Sequence, residues 1–552
     1  MIEKETRYVM KEKETSLEMN VTELLKELIA VRSDSGTVLE TAMAGKLRTV
    51  IGELPYFREH PDHYGTWDYG DPLGRPLVWA LVKGRSPRTL VFTGQYDAVS
   101  TTCYGKKEAL ALDPDALAEA VLGDAAADAG LRADLATGKW LSGRGSNDMK
   151  AGLAIALSVL AEHEPQELSL LFTAVCDEEN LSAGARAAAG LYQELQARFG
   201  LTYELGIMTE PGEAAMAGDA IPVYNGSCGK ILPVLVVKGK ICHGARVMEG
   251  LSASGLLARI VLKTELDPRL ISADQGAFTQ PPAVLMQRDL KEGYDVSLPE
   301  YAGAAISFTF LKATKPLSLI AALKERAEAG LREGIKAYAD TYDQLAAQGV
   351  VRAEEKRAYE ASVLTGGELT ELIRRQPGGE EFLAQKKAEA EAAVRAGRQN
   401  FVNATLYYLR DLMHFAELAP GSCVIGIAPP YYPAANNDYL GPGAAERIRD
   451  LLAELGDDVR FSTYSQGITD MSYLACTDPE EEVRVMQDVP LAGPLYQTDF
   501  RVAAAVSFPC LRLGPRGKEL HQEGERVYLP DVEEHVPRIY RKIIAHLEKA
   551  CE

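Results

Sequence analysis

Five stretches of this 552-residue chain carry side chains that could do chemistry together. The first is Gly143-Arg144-Gly145-Ser146-Asn147-Asp148-Met149-Lys150-Ala151-Gly152, which puts Asp148 between a Gly-rich turn and an apolar helical run over 153–160. Glycine permits backbone angles and close approaches that other residues resist. A carboxylate at a helix start can sit among polar groups and still face a cleft. The others are Gln95-Tyr96-Asp97, Asp177-Glu178-Glu179, Glu210-Pro211 and a late His521. Acids that converge in a cleft cannot all stay ionised without a counter-charge. One or two divalent metal ions supply it, as in two-metal hydrolases. Glu178 and Glu179 point opposite ways on extended backbone. On a turn, one can hold metal while the other faces substrate as a general base.

Each residue also has a plainer reading. Asp148 is an N-cap, and Glu178-Glu179 begins a helix whose dipole favours acids. Glu210 is then a strand-end carboxylate, His521 a surface histidine and His243 a satisfied one. For Gln95, coordinating, merely hydrogen-bonded and non-functional readings all stay open.

The elements that position these residues alternate. Short buried strands are predicted over 77–82, 89–93, 169–175 and 203–208, with helices after Asp148 and from about Gly184. Strands alternating with helices give a mostly parallel α/β sheet. The acids fall just past the strand C-termini, where open α/β sheets place their ligands. The pattern changes at about Gly226. A strand over 230–237, a helix over 250–262 and a strand over 304–311 precede a charged, Ala-rich helical region over 317–417, whose interspersed signs mark a solvated surface. A strand over 423–427 closes this part, and α/β character resumes to a last helix over 532–547. Residues 1–225 and 436–552 therefore read as one domain, with 226–435 inserted into it. Residues 1–20 read as a frayed lead-in.

Composition narrows the class. With 46% hydrophobic and 25% charged residues the chain suits a globular protein, and its length suits two or three domains. A formal net charge of -20 argues against nucleic-acid and anionic-membrane partners. The eight cysteines form no CxxC pair and read as reduced residues of a cytoplasmic protein. No apolar run is long enough to span a bilayer, and residues 1–20 lack the apolar core of a signal peptide.

In this order, the motifs resemble those of the M20 family of metallopeptidases and aminoacylases. The bridging-Asp motif matches Gly143 to Lys150, the acidic pair Asp177-Glu178-Glu179, the next ligand Glu210-Pro211, and the late histidine His521 in Gly514-Pro515-Arg516-Gly517-Lys518-Glu519-Leu520-His521. Lys238-Gly239-Lys240-Ile241-Cys242-His243-Gly244 looks like the lid-domain motif. The length, the enlarged helical lid and Tyr464-Ser465-Gln466-Gly467-Ile468-Thr469-Asp470 look most like the arginine-utilisation (Roc-type) branch. The resemblance implies an exopeptidase-type catalytic domain plus an inserted α+β lid, through which some members form homodimers. It implies that Asp148 bridges two ions, Glu179 and His521 hold one, and Glu210 with the residue at position 95 holds the other. Glu178 becomes the general base, and His243 polarises the scissile carbonyl. Asp97 orients the ligand at 95. There the chain departs, because the family has His-x-Asp and this sequence has Gln95-Tyr96-Asp97. An amide whose NH2 donates to Asp97 offers the metal a neutral, harder and weaker ligand than imidazole. Zinc or manganese is the expected ion.

The implied function is hydrolysis of an amide bond in a small substrate (a dipeptide, an N-acyl amino acid or an arginine-related conjugate) by metal-activated water. A second reading is a binding or regulatory protein on the same fold, with Gln95 marking a lost ligand. A mononuclear enzyme on Glu179 and His521 lies between. Arg246 and Asn225 are candidates for binding a substrate carboxylate or carbonyl.

Overall fold

A computed structural model describes residues 12–13, 16–17, 19–212 and 220–549. Most of the lead-in over 1–20 lies outside the described residues. The chain forms two compact units. The first comprises Met1–Ser227, Ala435–Thr477 and Arg501–Glu552, and the second Cys228–Ala434 with Asp478–Phe500. The sequence reading assigned 478–500 to the first domain. Its side chains and backbone instead bond within the second unit. Asp488 accepts from the Gly367 N–H at 2.8 Å and, through its carbonyl, from the Ile427 N–H at 2.7 Å, and Glu482 accepts from the Tyr431 hydroxyl.

The first unit is built on an eight-stranded mixed sheet. Its strands are β1 (Tyr64–Trp67), β2 (Leu77–Val82), β3 (Arg88–Gln95), β4 (Ser169–Val175), β5 (Thr202–Met208), β6 (Ile221–Tyr224), β7 (Val459–Ser462) and β8 (Cys510–Arg512). Their order is β7-β6-β8-β5-β3-β4-β2-β1. The central run β8-β5-β3-β4 is parallel, whereas β2 and β1 add on antiparallel. Near-continuous apolar strands such as Leu77–Val82 and Ser169–Val175 are buried along their length, as strands covered on both faces must be. Helix α1 (Lys150–Glu162) is buried from Lys150 to Leu160, and α2 (Ala183–Phe199) follows β4. Strand β1, short and only partly buried, has no counterpart in the sequence reading.

The second unit has its own sheet, ordered Gly229–Ile231, Tyr301–Phe310, Pro233–Lys238, Ser422–Ile427, Ser362–Thr365. Ala283–Asp289 also pairs with Tyr301–Phe310. The region expected to be helical over 317–417 holds helices Pro316–Ala347, Gly366–Arg374, Gly379–Arg395 and Phe401–Phe415. Strand Ser362–Thr365 interrupts them, pairing parallel with Ser422–Ile427. No helix among the described residues is long and apolar enough to cross a membrane.

Candidate metal centre

Three turns at one end of the central sheet present the acids. The first precedes α1. Gly145 has φ +76, and a Cβ on Gly152 would lie 2.0 Å from the Thr209 carbonyl oxygen, so only glycine lets α1 seat against the end of β5. Met149, not Asp148, is the N-cap residue of α1. The Asp148–Met149 peptide is cis. The turn is fastened by Glu525, which is fully buried. One of its oxygens accepts from the backbone N–H groups of Asn147 and Asp148 at 3.1 and 3.2 Å, and the other pairs with Arg144.

The second turn follows β4. Asp177 adopts φ 67, which few non-glycine residues do without local support. That support is Arg75, whose Nη1 lies 2.7 Å from Asp177 and 2.8 Å from Glu40 and whose Nε and Nη2 bind Asp71 at 2.9 Å. Glu40 also accepts from the Asp177 N–H at 2.8 Å. Asp97 accepts from the Glu178 and Glu179 N–H groups at 3.1 and 3.2 Å. The acidic pair thus sits on the turn, and α2 begins only at Ala183. The third turn carries Glu210, two residues past the end of β5.

The turns and the 519–525 loop bring Asp148, Glu179 and His521 together, with one ligand atom of each within 4.8 Å of the others. His521 Nε2 lies 3.3 Å from Asp148 Oδ2 and 3.1 Å from Glu179. Gln95, at the end of β3, donates from Nε2 to Asp148 Oδ1 at 2.9 Å. This differs from the expected Gln95–Asp97 bond, because the Asp97 carboxylate is engaged by the two backbone N–H groups of the acidic turn. Gln95 Oε1 is buried and finds no hydrogen-bond partner among the described residues. Glu210 Oε2 lies 3.4 Å from Arg512 Nε, and its Oε1 is likewise unpartnered among them. His243 belongs to the second unit, where its Nδ1 accepts from the Ala245 N–H at 3.1 Å. Arg246 is exposed and pairs with Glu249 at 3.3 Å. Asn225 is buried and accepts from Asn437 Nδ2 at 2.9 Å.

The electrostatics follow from burying like charges. Burial, then the charge of Asp470, holds the Glu178 carboxyl well above the ordinary carboxylate range. Burial does the same to Glu210, against the pull of Arg512. Burial and then Asp148 push Glu179 up to about 8, and burial pushes Asp97 to about 6. The hydrogen bonds to Asp148 and then Glu179 raise His521 to about 10. Such a cluster is short of positive charge. Two carboxylates and an imidazole around a point, with orphaned oxygens of Gln95 and Glu210 nearby, form a donor set that suits a divalent ion.

Several residues at the site were not singled out in the sequence. Asp470 ends the stretch Tyr464 to Asp470; it is 2% exposed and the charge that most affects Glu178. Glu525 had a signal, an acid four residues after His521. Arg75, Glu40 and Arg512 had none.

The pattern of peptidase family M20/M25/M40 matches residues 120–546. The chain belongs to this family. As an M20 enzyme it is a hydrolase of peptide or amide bonds that depends on divalent metal. Protein YqjN of Bacillus subtilis (strain 168) is 29% identical over 539 residues, 96% of each chain. Protein RocB of the same organism is 24% identical over 547 residues, 96% of this chain and 94% of that one. These near full-length likenesses bear out the resemblance to the Roc-type branch. Among solved structures, a tripeptidase from Staphylococcus aureus subsp. aureus mu50 superposes with a TM-score of 0.51 at 12% identity, covering 96% of this M20 chain and 98% of the other. At that identity the likeness speaks for the shared fold.

Proposed function

We propose that this M20 enzyme hydrolyses the amide bond of a dipeptide, an N-acyl amino acid or an arginine-related conjugate in the cytoplasm. The observation that supports this most is the Asp148–Glu179–His521 grouping, with Glu178 beside it on the same turn. Asp148, Glu179 and His521 would hold a zinc or manganese ion, and Glu210 and Gln95 are the remaining donors. A bound ion supplies Lewis acidity, polarising the scissile carbonyl and acidifying the attacking water. Glu178 takes the proton from that water and returns it to the leaving nitrogen. Asp97 fixes both acids by gripping their backbone N–H groups. His243 polarises the carbonyl on the family resemblance alone, and homodimer formation through the second unit rests on the same ground. The arginine-related substrate rests on the Roc-type likeness.

The test is a screen of the full chain, loaded with Mn²⁺ or Zn²⁺, against dipeptides, N-acyl amino acids and N-acyl arginine derivatives, read as released amine. Hydrolysis of one class, abolished by chelator and restored by metal, is expected. A metal-loaded chain that cleaves none of them would overturn the substrate assignment.

A further inference from the structure

The two halves of the candidate centre are not equivalent. Around Asp148 Oδ2 stand His521, at 3.3 Å, and Glu179, with one ligand atom of each within 4.8 Å of the others. The other half already holds a cation of the chain, beside Gln95 Oε1 and Glu210 Oε1, which are unpartnered among the described residues. Asp148 Oδ1, the oxygen that faces away from His521, already accepts the Gln95 amide N–H at 2.9 Å. Glu210 already faces Arg512, whose Nε is 3.4 Å from its Oε2. Arg512 is 4% exposed and cannot swing away. Its Nη1 binds Ser465 Oγ at 2.5 Å, its Nη2 binds the Pro211 carbonyl at 2.5 Å, and its guanidinium lies 5.3 Å from the centre of the Tyr224 ring. Its backbone is fixed in β8 opposite Met208, two residues before Glu210. Guanidinium stays charged at any working pH. A dication ligated by Glu210 would face that fixed charge across a single carboxylate, with only a neutral amide oxygen from Gln95 to help hold it.

We propose that Arg512 stands in for the second metal ion, so that this chain binds one divalent ion tightly, at Asp148, Glu179 and His521. Gln95 and Arg512 act together. The amide occupies the bridging oxygen of Asp148, and the guanidinium neutralises Glu210. Arg512 is a positioning residue here, holding Glu210 and its charge in place beside the reacting centre.

The inference rests on the metal-hydrolase reading, and its test separates the two. Chelator-treated full chain is loaded with excess Mn²⁺, desalted, and measured for manganese per chain and by electron paramagnetic resonance. The native chain should retain one Mn²⁺ with an uncoupled signal. The Gln95→His/Arg512→Met double variant should retain a second ion, with the broadened spectrum of an exchange-coupled pair. Gln95→His alone leaves the buried Arg512 contacts intact and should tighten the second ion by roughly 10-fold, which keeps the test open if the double variant does not fold. Two coupled ions in the native chain would overturn this inference and leave the hydrolase reading standing. No manganese in the native chain would overturn both.

Discussion

The two compact units bury charge differently. In the first, arginines are sealed in with acids: Arg75 with Asp71, Glu40 and Asp177, Arg144 with Glu525, and Arg516 with Asp531 at 2.7 Å. In the second, pairs such as Arg332–Glu328 and Lys336–Asp340 lie along the solvent face of Pro316–Ala347. Of its buried acids, Glu482 meets a tyrosine hydroxyl, while Asp267 and Glu481 pair with the partly or largely exposed Arg326, Arg269 and Arg484. Breaking a sealed pair leaves an uncompensated ion in low dielectric, whereas a surface pair is screened by water. The first unit accepts the desolvation cost of its pairs because its fold forces acids together at the strand ends. Arg75 and the Arg144–Glu525 pair fasten the two turns that carry Glu179 and Asp148.

Arg75→Met should break this contrast most severely. It strands three buried carboxylates and frees the Asp177 turn, costing about 3–5 kcal/mol of stability. Trp67, Trp79 and Trp140 all lie in the first unit, so their fluorescence in denaturant reports that loss directly. Glu482→Gln probes the second unit. Burial raises Glu482 from 4.5 to about 7 against the pull of the Tyr431 hydrogen bond. The folded state therefore binds this proton more tightly than the unfolded one. The contribution of this carboxyl to stability is full below pH 4.5 and is lost as pH rises through about 7. The full fall is at most ~3 kcal/mol. Glu482→Gln should flatten that slope, read by hydrogen exchange of strand Ser422–Ile427 at several pH values. Asp97→Asn keeps the shape but replaces one of the two acceptor oxygens that hold Glu178 and Glu179. Metal affinity should drop roughly 10- to 100-fold in a competition titration, with the fold intact by circular dichroism. At the small end, Lys336→Ala should change stability by less than about 0.5 kcal/mol, because both partners are largely exposed.

The contrast also explains what the sequence could disclose. Strands 77–82 and 169–175 were legible because unbroken apolar runs between turn signals admit little else, and both fall where predicted. The candidate ligands were legible as types too, as acids and a histidine at predicted strand ends and in Gly-rich turns. The groups that hold them did not. Arg75 reaches Asp177 across 102 positions, and Arg144 reaches Glu525 across 381. No local pattern encodes such partners; only the folded sheet brings them together. Gln95 shows the same limit in reverse. Its identity raised the right question, but Asp97 was already committed to the Glu178 and Glu179 N–H groups, which sent its amide to Asp148. In the second unit, Ser362–Thr365 was hidden in a charged helical region because its pairing with Ser422–Ile427, not its composition, makes it a strand.

The most direct test of the account is the Glu178→Gln variant, assayed for metal content and for turnover of whichever amide the native chain cleaves. Glu178 is assigned to moving the proton and not to holding the ion. Metal content should therefore match the native chain, while kcat falls by roughly 10²- to 10⁴-fold. Native-like turnover would contradict its role as general base, and loss of the metal would place Glu178 among the ligands.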